Sequence, residues 1–292
     1  MNQRPHFTLN LHDRELVLGK NTLIMGILNI TPDSFSDGGL FFDKKRAIKQ
    51  AHAMVEAGAD IIDVGGESTK PGSLSLTYEE EIDRVIPVVG ELCNEIDIPI
   101  SIDTYKSEVA KQALDLGVHI VNDISGLKFD PKMAHLISSY RASVVLMHIK
   151  GTPSDMQKNP KYDDLFAEIS SYLEDSVKIA QNAGIRKENC IIDIGIGFGK
   201  TTYHNLKLIN RLYEFQNIGC PIMIGPSRKS FIGNVLNLPV DQRLEGTAAA
   251  VVVSIMKGAH IIRVHDVGFI SNVVKMTDAI LDPQDYAFES ID

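Results

Sequence analysis

A (β/α)8 barrel carrying an N-terminal β-hairpin is the fold this sequence predicts, and three observations predict it. Eight short apolar runs recur along the chain, separated by longer segments whose apolar residues fall three and four apart. Glycine closes several of those segments immediately before the next apolar run, as in Gly58-Ala59-Asp60, Gly117-Val118 and Gly258-Ala259-His260. The length of 292 residues suits one such barrel, and no linker, low-complexity tract or charge block marks a second unit. A doubly wound open sheet is the alternative; eight units without a second domain favour closure. Residues 1–292 therefore read as one α/β domain, with the hairpin over 5–19 and the barrel over 22–282.

The hairpin is expected over residues 7–11 and 15–18, which alternate apolar with polar across His12-Asp13-Arg14, and its place is beneath the barrel. The eight strand runs are residues 22–28, 61–64, 99–102, 119–121, 143–147, 190–192, 221–224 and 260–264, short and continuous as strands buried on both faces are. Helical periodicity covers 44–57, 79–96, 106–116 and 165–182, with Gly58, Gly117 and Gly184 as stops.

Composition narrows the function classes. With 29 Lys+Arg against 38 Asp+Glu the net charge is −9, which argues against broad contact with nucleic acid or an anionic membrane, so an anionic ligand has to be bound locally. Cys93, Cys190 and Cys220 are odd in number and widely spaced, as reduced thiols used for packing are. The first residues hold no signal-peptide core and the apolar run 248–253 is too short for a bilayer, so a soluble cytoplasmic protein is expected.

In a barrel of this kind the groups that act on a ligand lie at the carboxyl ends of the strands. Polar residues gather there. Asn29 ends the first run and leads into a long glycine-tipped loop, 31–39; Asp63 ends the second, before Gly65-Gly66-Glu67-Ser68-Thr69-Lys70-Pro71. Asp103 shares a face with Ser101 at the third, Asn122-Asp123 close the fourth, and Asp193 follows apolar residues at the sixth, where an ionised carboxylate must be hydrogen-bonded or paired. Helix or turn capping is the competing role for Asp103 and Asn122, and the preferred one for Asp123. The loop Gly195-Ile196-Gly197-Phe198-Gly199-Lys200-Thr201 misses a phosphate-cradling loop because Ile194 stands where glycine is needed; glycine backbone beside a flat ligand, with Phe198 as a wall, is the better reading. Arg263 and His265 share a face on the eighth run, and with Lys229 and Ser230 they suit an anion. No zinc spacing or nucleophile elbow appears.

Ile24-Met25-Gly26-Ile27-Leu28-Asn29, Gly65-Gly66-Glu67-Ser68-Thr69, Ser101-Ile102-Asp103-Thr104, Asn122-Asp123, Gly197-Phe198-Gly199-Lys200, Ser227-Arg228-Lys229-Ser230 and Arg263-Val264-His265-Asp266, taken in order, resemble the dihydropteroate synthase family. The resemblance implies condensation of 6-hydroxymethyl-7,8-dihydropterin diphosphate with 4-aminobenzoate, a Mg²⁺ requirement and a homodimer. It implies that Asp103, Asn122, Met147, Asp193, Lys229 and Arg263 hold the pterin. Asn29, Arg263 and His265 would hold the diphosphate, Asn29 also touching Mg²⁺, and Phe35, Thr69, Pro71, Phe198 and Ser230 would shape the aminobenzoate pocket. Asp103, Lys229, Arg263 and His265 would carry the catalysis. Lys70, Ile194, Pro226 and Ile149-Lys150 depart from the family pattern, and none of them is a principal pterin or diphosphate group. Two other functions compete: a silent pterin-binding paralogue, and a folate-dependent methyltransferase domain, which would leave the 31–39 loop and Lys229 without a reason.

Overall fold

The computed structural model describes residues 4–30, 39–69, 72–73 and 75–286. The hairpin strands are β1 (Phe7–Asn10) and β2 (Glu15–Leu18), antiparallel in register Phe7 to Leu18. The barrel strands are β3 (Leu23–Asn29), β4 (Ile61–Gly65), β5 (Ile100–Asp103), β6 (Ile120–Asp123), β7 (Ser143–Met147), β8 (Cys190–Asp193), β9 (Ile222–Ile224) and β10 (Ile261–Val264). They are parallel and close in the order β10-β3-β4-β5-β6-β7-β8-β9. The intervening helices are α1 (Gly39–Glu56), α2 (Tyr78–Glu95), α3 (Ser107–Asp115), α4 (Met133–Tyr140), α5 (Leu165–Asn182), α6 (Thr202–Asn210), α7 (Ser230–Leu236) and α8 (Leu244–Met256), and α9 (Val267–Leu281) follows the last strand. The open-sheet alternative is thereby removed.

The glycine stops act as the sequence implies: Gly58, Gly117, Gly184 and Gly258 lie at φ of 96°, 99°, 97° and 102°, a left-handed turn that a Cβ would strain. Most strand starts and ends fall within a residue of the apolar runs. Several strands run one residue further, to Asn29, Gly65, Asp103 and Asp193, because the hydrogen-bond ladder outlasts the hydrophobic pattern at the rim.

Alternation along the strands separates two cores. Ile24, Ile62, Ile102, Val121, Val144, Ile192, Ile224 and Ile262 face the helices in the main cluster, while Met25, Ile61, Ile120, Val145, Ile191, Met223 and Ile261 point into the barrel. Leu9, Leu11 and Leu18 of the hairpin segment join the inner set, so the hairpin plugs the lower end as expected. A residue two places beyond an inner one shares its face. That rule aims Asp63, Asn122, Met147, Asp193 and Arg263 into the barrel above the plug.

Cys93, Cys190 and Cys220 are free thiols whose pKa values burial pushes up, to about 11, 12 and 11, in keeping with packing roles. Among the described residues no helix is long and apolar enough to cross a membrane. Leu18 is fully buried. Leu18→Ala should lower the free energy of unfolding by about 2–5 kcal/mol in urea titrations; a loss below about 0.5 kcal/mol would show that the hairpin does not plug the barrel.

Candidate active site

Arg263 is the centre of the barrel mouth. Its Nε donates to Asp63 Oδ2 at 2.6 Å and its Nη2 to Asp103 Oδ2 at 2.6 Å, so β10 is tied across the mouth to β4 and β5. Burial opposes the guanidinium charge, but Asp63 and Asp103 outweigh it and hold the Arg263 pKa above its ordinary value. Burial also pushes the Asp103 carboxyl up, against the pull of Arg263. The guanidinium keeps its own proton, so Asp103 Oδ2 accepts from a permanent cation. The same Asp63 oxygen accepts from Asn122 Nδ2 at 2.9 Å. Asp63 had no assigned role in the sequence reading; a fully buried acid in an apolar strand, on the same face as Ile61, was the signal that could have found it.

Across the mouth, Asp193 is 5 % exposed, and its Oδ1 accepts the Gly195 N–H at 2.7 Å. Burial raises its pKa while that N–H and Lys229 work the other way. Lys229 Nζ lies 4.1 Å from the centre of the Phe198 ring, and burial together with the charge of Arg263 brings its pKa down to about 8. Thr69, Asp103, Asn122, Met147, Asp193, Phe198, Lys229 and Arg263 line one pocket, with Ile124, Ile196 and Gly225, to which the sequence reading assigned no site role. Ile124, Met147, Ile149, Met156 and Phe198 form the apolar wall.

The glycine loop is pressed onto its neighbours: a Cβ on Gly195 (φ 65°) would sit 1.9 Å from the His148 carbonyl oxygen. Lys200 is buried and spends its ammonium inward, on His148 Nδ1 at 2.8 Å and the Phe198 carbonyl at 2.9 Å. It is therefore turned away from any phosphate, a second reason, besides Ile194, against a nucleotide loop. Ile194 itself is fully buried in the main core.

The β9–α7 connection is held from both sides. Arg228 adopts φ 57°, a left-handed conformation that costs about 1–2 kcal/mol for a residue with a side chain. It is fixed there by two hydrogen bonds to Asp266, one of them Nε to Oδ2 at 2.9 Å, and by its N–H to Thr247 Oγ1 at 3.1 Å. Arg228, open between anion contact and structural pairing on sequence grounds, is structural. Pro226 accepts the Lys229 N–H at 3.3 Å, so this departure from the family pattern closes the turn. Ser227 Oγ meets His265 Nδ1 at 2.9 Å, and burial, reinforced by the charge of Arg263, lowers the His265 pKa to about 4. Ser230 is exposed in the first turn of α7.

Asn29, Ser230 and His265 stand at the same end of the barrel but outside the lining of this pocket. Phe35, Pro71 and Lys70 lie outside the described residues. Asp103 does not cap α3: Asp130 Oδ2 takes the Ser107 N–H at 2.8 Å instead. Asp123 does turn back, accepting from Ser125 N at 2.7 Å and Leu127 N at 3.1 Å. Gly65 leaves a cradle beside Asn29; a Cβ there would lie 3.7 Å from Asp103 Oδ2 and 3.8 Å from Asn29 Oδ1. The amide oxygen of Asn29 is a hard ligand of the kind Mg²⁺ takes, whereas Asp103 Oδ2 is already committed to Arg263.

This barrel and its rim belong to the class of pterin-binding enzymes: residues 25–265 match the Pterin binding enzyme family. The dihydropteroate synthase of Clostridium beijerinckii is 47% identical over 274 residues, covering 94% of this chain and 99% of that one. The Clostridium difficile dihydropteroate synthase structure, determined in the presence of pteroic acid, is 48% identical with a TM-score of 0.86 over 90% of this chain and 98% of its own. The Xanthomonas albilineans dihydropteroate synthase with 4-aminobenzoic acid is 37% identical with a TM-score of 0.88, over 95% and 99%. The chain belongs to the dihydropteroate synthase family, and it is a transferase.

The Lys229 ammonium is present below pH 8 or so and lost above it. Affinity for a pterin, measured by calorimetry from pH 6 to 10, should fall as pH rises through that value, and Lys229→Met should abolish the fall; a flat wild-type profile would refute the contact. Asp63→Asn leaves the Arg263 charge short of a partner and should destabilise the fold by about 2–4 kcal/mol in chemical denaturation.

Proposed function

We propose that the chain condenses 6-hydroxymethyl-7,8-dihydropterin diphosphate with 4-aminobenzoate to give 7,8-dihydropteroate and diphosphate, the diphosphate departing before the arylamine attacks. The observation that carries this reading is the Asp63–Arg263–Asp103 arrangement beside Asn122, Asp193 and Lys229. In support of it, Arg263 is bonded to Asp63 and Asp103, and Asp103, Asn122, Asp193, Lys229 and Arg263 line one pocket, a set with donors for an anion and acceptors for a heterocycle edge. Pteroic acid, present with the Clostridium relative, and 4-aminobenzoic acid, with the Xanthomonas one, have the chemistry of product and second substrate.

The aminopyrimidinone edge of a pterin offers adjacent N–H donors, which the Asp193 carboxylate can accept together. Asn122 gives its amide N–H to Asp63, so its carbonyl oxygen is the end left for the ligand. Lys229 donates to the ring carbonyl and N5, and Met147 packs on the ring. Departure of diphosphate leaves a cation delocalised into the pterin, which the Asp103 carboxylate stabilises. Arg263 has five N–H donors, two of them engaged by Asp63 and Asp103; the three that remain serve the diphosphate. His265 is neutral at pH 7. With Ser227 donating to Nδ1, its Nε2–H is the donor for the anion. Asn29 would hold Mg²⁺ at the Gly65 cradle, where the ion supplies charge neutralisation for the leaving diphosphate. Thr69, Phe198 and Ser230 shape the aminobenzoate subsite, and Phe35 and Pro71 are assigned to it from the family pattern alone. The arylamine is neutral at pH 7 and needs no strong base.

The proposal extends to one domain over residues 1–292, a homodimer and a cytoplasmic location. In support of the dimer, α8 is apolar nearly all round and Val253 and Met256 are exposed on it, as are Phe269, Met276 and Ile280 on α9. Three unpaired cysteines suit a reducing compartment.

The test is direct: purified protein, pterin diphosphate, 4-aminobenzoate and Mg²⁺, with dihydropteroate and diphosphate measured. Tight pterin binding without product would reject the transferase reaction. Arg263→Ala should cost more than ~1 kcal/mol in turnover or diphosphate binding, the scale of a charge-assisted hydrogen bond; wild-type kinetics in that variant would reject its role.

A further inference from the structure

We propose that Lys106, held between Glu67 and Glu81, is a positioning residue for the aminobenzoate subsite. The three side chains clamp the loop between β4 and α2 to the start of α3 and so fix Thr69 against the pocket. The proposal rests on the reading of that subsite given above.

Lys106 Nζ bonds to Glu67 Oε2 and, at 2.5 Å, to Glu81 Oε2. The side chains are 13 %, 6 % and 1 % exposed, for Lys106, Glu67 and Glu81 in turn. Two carboxylates thus share one cation away from water, and burial pushes the Glu81 carboxyl up against the pull of Lys106. Apolar side chains of similar volume would generally match such a set in stability, so stability alone does not account for it. Burial opposes the Lys106 charge, but Glu81 and Glu67 outweigh it and keep the ammonium protonated.

Position explains the set better. Glu67 stands two residues before Thr69, which lines the pocket, and Lys106 stands three residues after Asp103. Glu67 also accepts the Tyr105 hydroxyl at 2.8 Å and the Leu76 N–H at 3.1 Å, so one carboxylate gathers both ends of the 67–76 loop. Arg84 adds a bond to the Gly66 carbonyl at 3.0 Å. The clamp therefore joins the ends of β4 and β5, the strands whose Asp63 and Asp103 hold Arg263; none of its three side chains lines the pocket, although the Glu81 charge is felt by Asp103. Its loss should be felt where Thr69 meets the arylamine.

The experiment uses the full chain and begins with wild type that makes dihydropteroate. Lys106→Met should raise the KM for 4-aminobenzoate at least tenfold, with kcat within threefold and pterin Kd within twofold, and Lys106→Arg should restore most of the loss. Because methionine leaves two buried carboxylates without a cation, the near-isosteric triple variant Glu67→Gln, Glu81→Gln, Lys106→Met is measured beside it and should show the same rise. Tyr105→Phe, which removes one hydroxyl from Glu67, should show a smaller one. An unchanged aminobenzoate KM in these folded variants, or an equal loss of pterin affinity, overturns the clamp. Wild type that forms no product overturns the subsite reading and the clamp with it, so the two failures are distinguishable.

Discussion

Arg263 reaches across the barrel mouth to two carboxylates, and this brace sets the terms for the groups around it. A guanidinium at a largely dry rim has to be paired, and the partners come from β4 and β5, 200 and 160 residues earlier in the chain. Asp63 then serves a second donor, Asn122, which settles the direction of that amide. Asp103 is held with one oxygen committed. One charge thus orders three neighbours, and strand alternation delivers each of them, Asp63 and Asn122 two places beyond Ile61 and Ile120 of the inner cluster and Asp103 two places beyond the buried Ser101.

The mouth divides into two kinds of surface. One side is electrostatic, with Arg263, Asp63, Asp103 and Asn122 bonded to one another before any ligand arrives. The other is apolar, with Phe198, Met147 and Ile124 forming a wall over which Lys229 extends. Preorganisation of the first side means that little rearrangement is needed when charge develops there. The backbone supports the second: the glycine loop can lie against the His148 carbonyl because Gly195 has no side chain, and the buried Lys200 fastens that loop to β7 through His148.

Much of this was legible in the sequence, and the reason is physical. Glycine stops and short apolar runs are local signals, so the strands and helices could be placed from residues a few positions apart. Polar groups at Asn122, Asp103 and Asp193 were conspicuous because burying them is expensive without a partner. The partners themselves were not legible. Nothing near Asp63 points to Arg263, since their pairing depends on barrel closure, and Arg228 could be told from an anion contact only once Asp266 was seen beside it. Glu67, Glu81 and Lys106 were given no role for the same reason: each alone looks like an ordinary loop or helix charge.

The hairpin has a consequence for traffic. Leu9, Leu11 and Leu18 pack on the barrel's own inward residues, so the interior is filled below the mouth and the pocket opens upward. On the reaction proposed above, the pterin seats deepest, near Asp193 and Asn122, and would have to enter before the arylamine that covers it. The sequence of arrivals would then be a matter of geometry, set by a packed floor at the opposite end of the barrel from the residues that line the pocket.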